Sequence, residues 1–332
     1  MSKREQAARI LHASYLGWLL RQLPTWNGVL VINYHRIGRG SDSPFDRELW
    51  SATPEDFDAQ VRFLKENYDI IGADDLDEVV GKRYGRYVQI TFDDGYRDNY
   101  ECAYSILRYH GVRATFFLTT GFIDQFRLPW WDEIAWMVRT SERSGVKGAP
   151  WLSTQVTFDE PDRARAIYTL LSTYKSLPGE ATGAYLDFLA EATGRGRYDL
   201  TEAREMWMTW DMVREMRQAG MWFGGHTVNP PVLANLPREQ QAEEIAGCKK
   251  RIETELDEPM ILFSYPVGGR QSFNDDTRAC LREHGIKFSY SYYGGFRRSS
   301  DWDPYDIRRI AMEPYISPEL FGAMVTLPQL FT

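Results

Sequence analysis

Short apolar runs alternate with longer amphipathic ones along this chain. The runs rich in β-branched and aromatic residues read as strands: Val29–His35 (VLVINYH), Tyr87–Phe92 (YVQITF), Ala114–Thr120 (ATFFLTT), Met221–His226, Met260–Pro266 and Ile286–Tyr292, with a weaker one near Tyr68. Most are apolar at successive rather than alternate positions, the pattern of a strand covered on both faces in a parallel sheet. Between them, apolar residues recur at helical spacing over 54–68, 98–111, 209–220, 238–256 and 275–285. Three of these segments stop at a glycine, Gly111, Gly220 and Gly285, the usual C-terminal signal. Strand and helix in alternation are the mark of parallel βα units, closed into a barrel or laid out as an open doubly wound sheet.

Two segments depart from that rhythm. From about 126 to 205 the helical patterns PWWDEIAWMVRTSER and DRARAIYTLLSTYKSL appear with hardly a strand between them, which predicts a helical insertion over one end of the body. At the N-terminus, residues 1–27 place Ala7, Ile10, Leu11, Tyr15, Trp18 and Leu19 at helical spacing, predicting an N-terminal helix ahead of a body spanning 28–332. That apolar portion is broken by His12 and Ser14, is shorter than the ~20 residues of a membrane span and precedes no small-residue cleavage site. The expectation is a cytoplasmic protein whose N-terminal helix docks on its own core, or lies on the inner membrane face with Trp18 and Arg21 at headgroup level.

Composition narrows the picture further. A hydrophobic share of 43% and a charged share of 26% over 332 residues describe an enzyme-sized globular chain. A net charge of -8 argues against a nucleic-acid partner, which needs a concentrated basic surface. Cys102, Cys248 and Cys280 are odd in number and far apart, so they form neither a disulfide framework nor a clustered metal site.

The strand Tyr87–Phe92 ends at once in two carboxylates, Asp93 and Asp94, with Gly95 to turn the chain. Ligands meet parallel α/β folds at the carboxyl ends of strands. Adjacent acids there repel, which is tolerable if one ligates a metal while the other serves as a base; the plainer alternative is a helix cap. His226, in FGGHTVNPPVLANL, and His35, in NYHRIG, also close strands. His12, His110 and His284 fall on helical patterns and read as structural.

TFDDG, followed by HTVNPP and then YPVGG, resembles the polysaccharide deacetylase family, the NodB-like group of carbohydrate esterases (family 4), from Asn33 to Ile310. The resemblance implies a NodB-like distorted (β/α)7 barrel with a helical insertion. It implies a hydrolase that removes an N-acetyl or similar acyl group from an amino sugar of a polysaccharide or lipid-linked glycan precursor. Asp93 takes the place of the base, and Asp94 and His226 those of ligands to a divalent metal, zinc or similar. His35 takes the place of the acid that protonates the leaving amine, as in members that begin with a tyrosine-histidine strand.

Three departures from the family pattern follow. Pro230 stands where the second histidine ligand belongs, and proline offers no side-chain donor; Asn229 is the candidate replacement. The expectation is then a weak metal site completed by water, the alternatives being a metal-free amidohydrolase or a catalytically impaired glycan-binding relative. Ser264 stands where an arginine normally restrains the catalytic aspartate, leaving Arg309, or its neighbour Arg308, to serve instead. Tyr265 is a candidate oxyanion donor through its backbone or phenol, and Trp130 with Trp131 either stack on sugar or anchor the insertion.

Overall fold

A computed structural model describes residues 3–82, 84–159, 163–296 and 301–332, without the side chains at 12, 15, 16 and 200–202. Seven parallel strands close into a barrel: β1 (Gly28–Tyr34), β2 (Arg86–Phe92), β3 (Thr115–Leu118), β4 (Trp222–Gly225), β5 (Leu262–Ser264), β6 (Phe288–Ser291) and β7 (Ile307–Ala311). Each pairs with its neighbour in the chain, and β7 returns to β1 with Val31 beside Arg309 and Asn33 beside Ala311. The closed NodB-like (β/α)7 barrel implied by the sequence is the fold observed. Its distortion lies at β2, whose one edge is shared by the short strand Asp69–Ile70 at Tyr87 and Val88 and by β3 at Thr91 and Phe92.

The strand at Phe92 ends with its apolar run, and the other five with a run end one or two residues short of it. His35, Asp93 and His226 leave the ladder as soon as it reaches the rim. The outer faces of the strands and the surrounding helices make the main core, where Phe92 and Phe116 stack nearly parallel at 4.8 Å and Phe223 joins them at 5.7 Å. Gly224 and Gly225 give β4 room for this packing. A Cβ on the first would lie 2.7 Å from the Phe117 ring, and on the second 2.9 Å from the Cys248 sulfur.

The insertion between β3 and β4 carries its own apolar cluster, built on Trp131, Ile134, Leu170, Tyr185 and Trp207. Its helices include Trp130–Thr140, Ala164–Ser176 and Thr182–Thr193; residues 160–162 lie outside the described ones. It also holds an antiparallel hairpin, Gly145–Gly148 with Leu152–Thr157, which the helical reading did not anticipate. Only Val146, Leu152 and Val156 of that ribbon are buried, too sparse an alternation to stand out from a glycine- and proline-rich stretch.

The N-terminal segment forms two helices, Lys3–Ala13 and Tyr15–Gln22, where periodicity indicated one. Ser14 breaks the run with extended backbone (φ -94°, ψ 149°) and donates its hydroxyl to Leu11 O at 3.1 Å. Gly17 then permits a close return, since a Cβ there would fall 2.4 Å from the same carbonyl.

Phe116 is fully buried with an aromatic ring on either side. Replacing it by alanine should cost about 3–5 kcal/mol of unfolding free energy in denaturant titration, whereas a loss below about 1 kcal/mol would mean that the barrel flank collapses to fill the space.

Candidate active site

Strand alternation selects the side chains that meet inside the barrel. Leu30, Ile32 and Tyr34 pack outward with the helices, so Val31 and Asn33 turn inward. By the same rule Thr91 comes inward from β2, Ser264 from β5 and Arg309 from β7, while Ile310 faces out. Alternation therefore decides between the two arginines.

Arg309 is fully buried and uses all five of its N–H groups. Nε donates to Ser291 O at 3.0 Å; Nη1 donates to Asn33 Oδ1 at 2.6 Å and Asp93 Oδ1 at 2.7 Å; Nη2 donates to Asp93 Oδ2 and Ser264 Oγ, both at 2.8 Å. Ser264, at the position of the family's arginine, thus supports the arginine that replaces it. Burial by itself would raise the pKa of the Asp93 carboxyl, but the Arg309 guanidinium outweighs it, with help from His226 and His35, and the value falls to about 2.

Asn33 is a member of this network that the sequence did not single out. Its Oδ1 accepts from the Thr91 hydroxyl at 2.7 Å as well as from Arg309, which turns its Nδ2 toward Asp93 Oδ2 at 3.2 Å. The available signal was a single amide in an otherwise apolar strand.

His35 stands with Nε2 3.9 Å from Asp93 Oδ2 and its ring edge-on to Tyr292 at 5.3 Å. Burial lowers its pKa to about 4 against the pull of Asp93, so the imidazole is neutral at pH 7. Of the other histidines, His110 pairs with Asp58 at 2.8 Å, far from the rim network in role, and the His12 side chain lies outside the described ones.

Asp94 occupies a tight turn at φ 74°, with Gly95 N–H returning to Asp93 O at 3.0 Å. Thr227 and Val267, after β4 and β5, also hold positive φ, 69° and 62°. Such conformations cost energy and cluster where a side chain must be aimed. His226 has its Nδ1 2.8 Å from Ser264 O. A carbonyl can only accept, so Nδ1 carries the proton and Nε2 turns its lone pair toward Asp94 Oδ1, 3.6 Å away. Burial, then the charges of Asp93 and Asp132, push the Asp94 carboxyl well above 3.8.

Two donors of one tetrahedral ion stand roughly 3.4 Å apart, so Asp94 and His226 are spaced as a ligand pair. A third donor is missing. Asn229 is turned away: its Oδ1 accepts from Arg127 at 3.0 Å, its Nδ2 donates to Glu244 at 3.2 Å and its backbone N–H to Glu244 at 2.7 Å. It lines a neighbouring cavity instead. Among the described residues no group of three or more His, Cys, Asp or Glu side chains could hold a metal ion. The donor set falls one short of a divalent-metal site.

The cleft over these residues has a volume of about 510 Å³ and includes His35, Asp93, Asp94, His226, Pro230 and Tyr292 in its lining. Trp130 and Trp131 line it but are committed to packing. Trp130 stacks on Tyr174 at 4.1 Å and donates to Pro230 O at 3.1 Å; Trp131 donates to Tyr96 Oη at 3.0 Å. Tyr265 also lines the cleft, yet it is not a free oxyanion donor: its N–H donates to Tyr290 O at 3.0 Å and its phenol to Tyr305 O at 2.8 Å. Asp132, which follows Trp130 and Trp131 at the start of the insertion, accepts from Tyr96 Oη at 3.1 Å and from Asp46 N–H at 2.9 Å, tying the insertion to the turn that bears Asp94.

A closed (β/α)7 barrel with paired acids and two imidazoles at its carboxyl-terminal mouth defines a hydrolase of the NodB type. The chain belongs to the polysaccharide deacetylase family, whose model matches residues 81–166 and 153–289. Members are carbohydrate deacetylases that act on a non-peptide C–N bond and generally use a divalent metal. YxkH of Bacillus subtilis (strain 168), provisionally named a polysaccharide deacetylase, is 22% identical over 312 residues, 93% of this chain and 79% of that one. The Streptococcus pyogenes deacetylase PplD, solved with acetate, has the same fold at a TM-score of 0.59 and 19% identity, covering 92% of this chain and 98% of its own. IcaB from Ammonifex degensii shares it at 0.57 and 17%, covering 91% and 97%.

Pro230→His should place an imidazole beside the Asp94–His226 pair and tighten zinc binding by roughly 100-fold in calorimetric titration; unchanged affinity would show that the proline is not what leaves the set incomplete. Asp132 gives a pH signature. Burial raises its pKa from 3.8 to about 7, so the folded protein holds that proton more tightly. Its contribution to stability is therefore complete below about 3.8 and is lost as pH rises through about 7. Asp132→Asn should flatten that part of the unfolding free-energy profile, and an unaltered slope would contradict the assignment.

Proposed function

We propose that this protein removes an N-acetyl or similar acyl group from an amino sugar of a polysaccharide or lipid-linked glycan precursor. Asp93 takes a proton from the attacking water as the oxygen adds to the acyl carbon; that proton passes to the neighbouring neutral His35, and the imidazolium so formed delivers it to the nitrogen as the C–N bond breaks. The observation that carries this is the pairing of His35 with Asp93 at 3.9 Å on one cleft, with Arg309 fixing both oxygens of the carboxylate. A carboxylate held ionised cannot be silenced by mild acid. A neutral imidazole beside it is free to accept the proton that Asp93 removes and to pass it on.

Arg309 also immobilises the base, so little reorientation precedes attack. The exposed Tyr168 and Tyr315 on the cleft wall offer flat faces for a sugar ring. With a donor set one short, the steps assigned here pass through Asp93 and His35 alone, and the metal-free form of amide hydrolysis is the version that the residues favour. A cytoplasmic location fits the three unpaired thiols. Pro230 favours one further reading, a glycan-binding relative with impaired hydrolysis.

Acetate release from N-acetylglucosamine oligomers distinguishes these. Release that survives chelation and drops by about 100-fold or more in Asp93→Asn supports the hydrolase. Oligomer binding without release from any acetamido sugar supports the binding protein instead.

A further inference from the structure

The helices Lys3–Ala13 and Tyr15–Gln22 pack one side against the helix Pro318–Thr326, burying Ala8 and Gly17. Their other side is open and sets apolar side chains among Lys3, Arg4, Gln6 and Arg9. Ile10 is 71% exposed, Trp18 45%, Leu19 43% and Leu23 47%; Leu330, at 70%, belongs to the C-terminal turn that Gln329 Nε2 ties to Thr25 O at 3.2 Å. Every large aliphatic side chain exposed among the described residues lies in this one corner of the molecule.

Charge separates this corner from the rest of the chain. Residues 1–27 carry Lys3, Arg4, Arg9 and Arg21 against Glu5 alone, four cations less one acid or +3, on a protein of net charge -8. Exposed aliphatic residues beside cations, with a tryptophan among them, match the two requirements of a surface helix: apolar insertion and attraction to anionic headgroups. A second copy of the same corner would bring two patches of +3 together.

We propose that this corner docks on an anionic membrane surface. The inference does not depend on the reaction assigned above, and its test does not use activity. The full chain is sedimented with vesicles of phosphatidylglycerol and phosphatidylcholine, and with vesicles of phosphatidylcholine alone. Binding should need the anionic lipid, weaken in salt and fall about fivefold for Arg9→Gln. Ile10→Glu and Leu19→Glu should each reduce it about tenfold or more, with an unchanged melting temperature showing that the fold survives. Absence of binding to anionic vesicles would overturn the proposal, as would equal binding to both vesicle types. So would self-association in sedimentation velocity that Ile10→Glu abolishes, which would assign the corner to a second copy.

Discussion

A single buried guanidinium organises the mouth of this barrel. An unpaired charge removed from water costs several kcal/mol even after relaxation, so Arg309 is tolerable only with its donors matched. The acceptors come from Asn33 on β1, Asp93 after β2, Ser264 on β5 and Ser291 on β6, while β7 supplies the arginine itself. Five of the seven strands are thereby keyed to one side chain. The barrel can close in this register only if those groups meet, and when they meet Asp93 is fixed, ionised and aimed at the cleft. Stability and chemistry rest on the same contacts.

The consequence reaches the other half of the site through Ser264. Its hydroxyl supports Arg309 and its carbonyl faces His226 Nδ1, so one residue sets both the guanidinium and the imidazole tautomer. The weak link is the next turn. Pro230 cannot ligate, and its carbonyl is held by Trp130. Glu244 holds Asn229 away by taking both backbone and side-chain donors. The loop is stably built around the loss of a ligand rather than left loose by it.

Much of this was legible in the chain. Apolar runs marked six of the seven strands, because parallel strands covered on both faces are largely apolar; β7, interrupted by Arg308 and Arg309, left no such run. His35, Asp93 and His226 stood at run ends, where parallel folds gather ligands. The choice between Arg308 and Arg309 was not legible, because it depends on which face of β7 turns inward, and that is settled by pairing with β1. Tyr265 misled because its two donors are consumed by Tyr290 and Tyr305, partners that only the closed barrel brings near. Asn229 misled likewise, since Glu244 approaches it from a helix later in the chain. The N-terminal break and the insertion hairpin escaped notice because each rests on a few residues, Ser14 with Gly17 and three buried aliphatics, too few to register as periodicity.

The most direct test of the Arg309–Asp93 pairing is a carboxyl carbon NMR titration of Asp93 in the intact protein. The expected midpoint is about 2. A midpoint at or above the ordinary 3.8 would mean that the guanidinium does not hold this carboxylate, and the organisation of the mouth described here would be wrong.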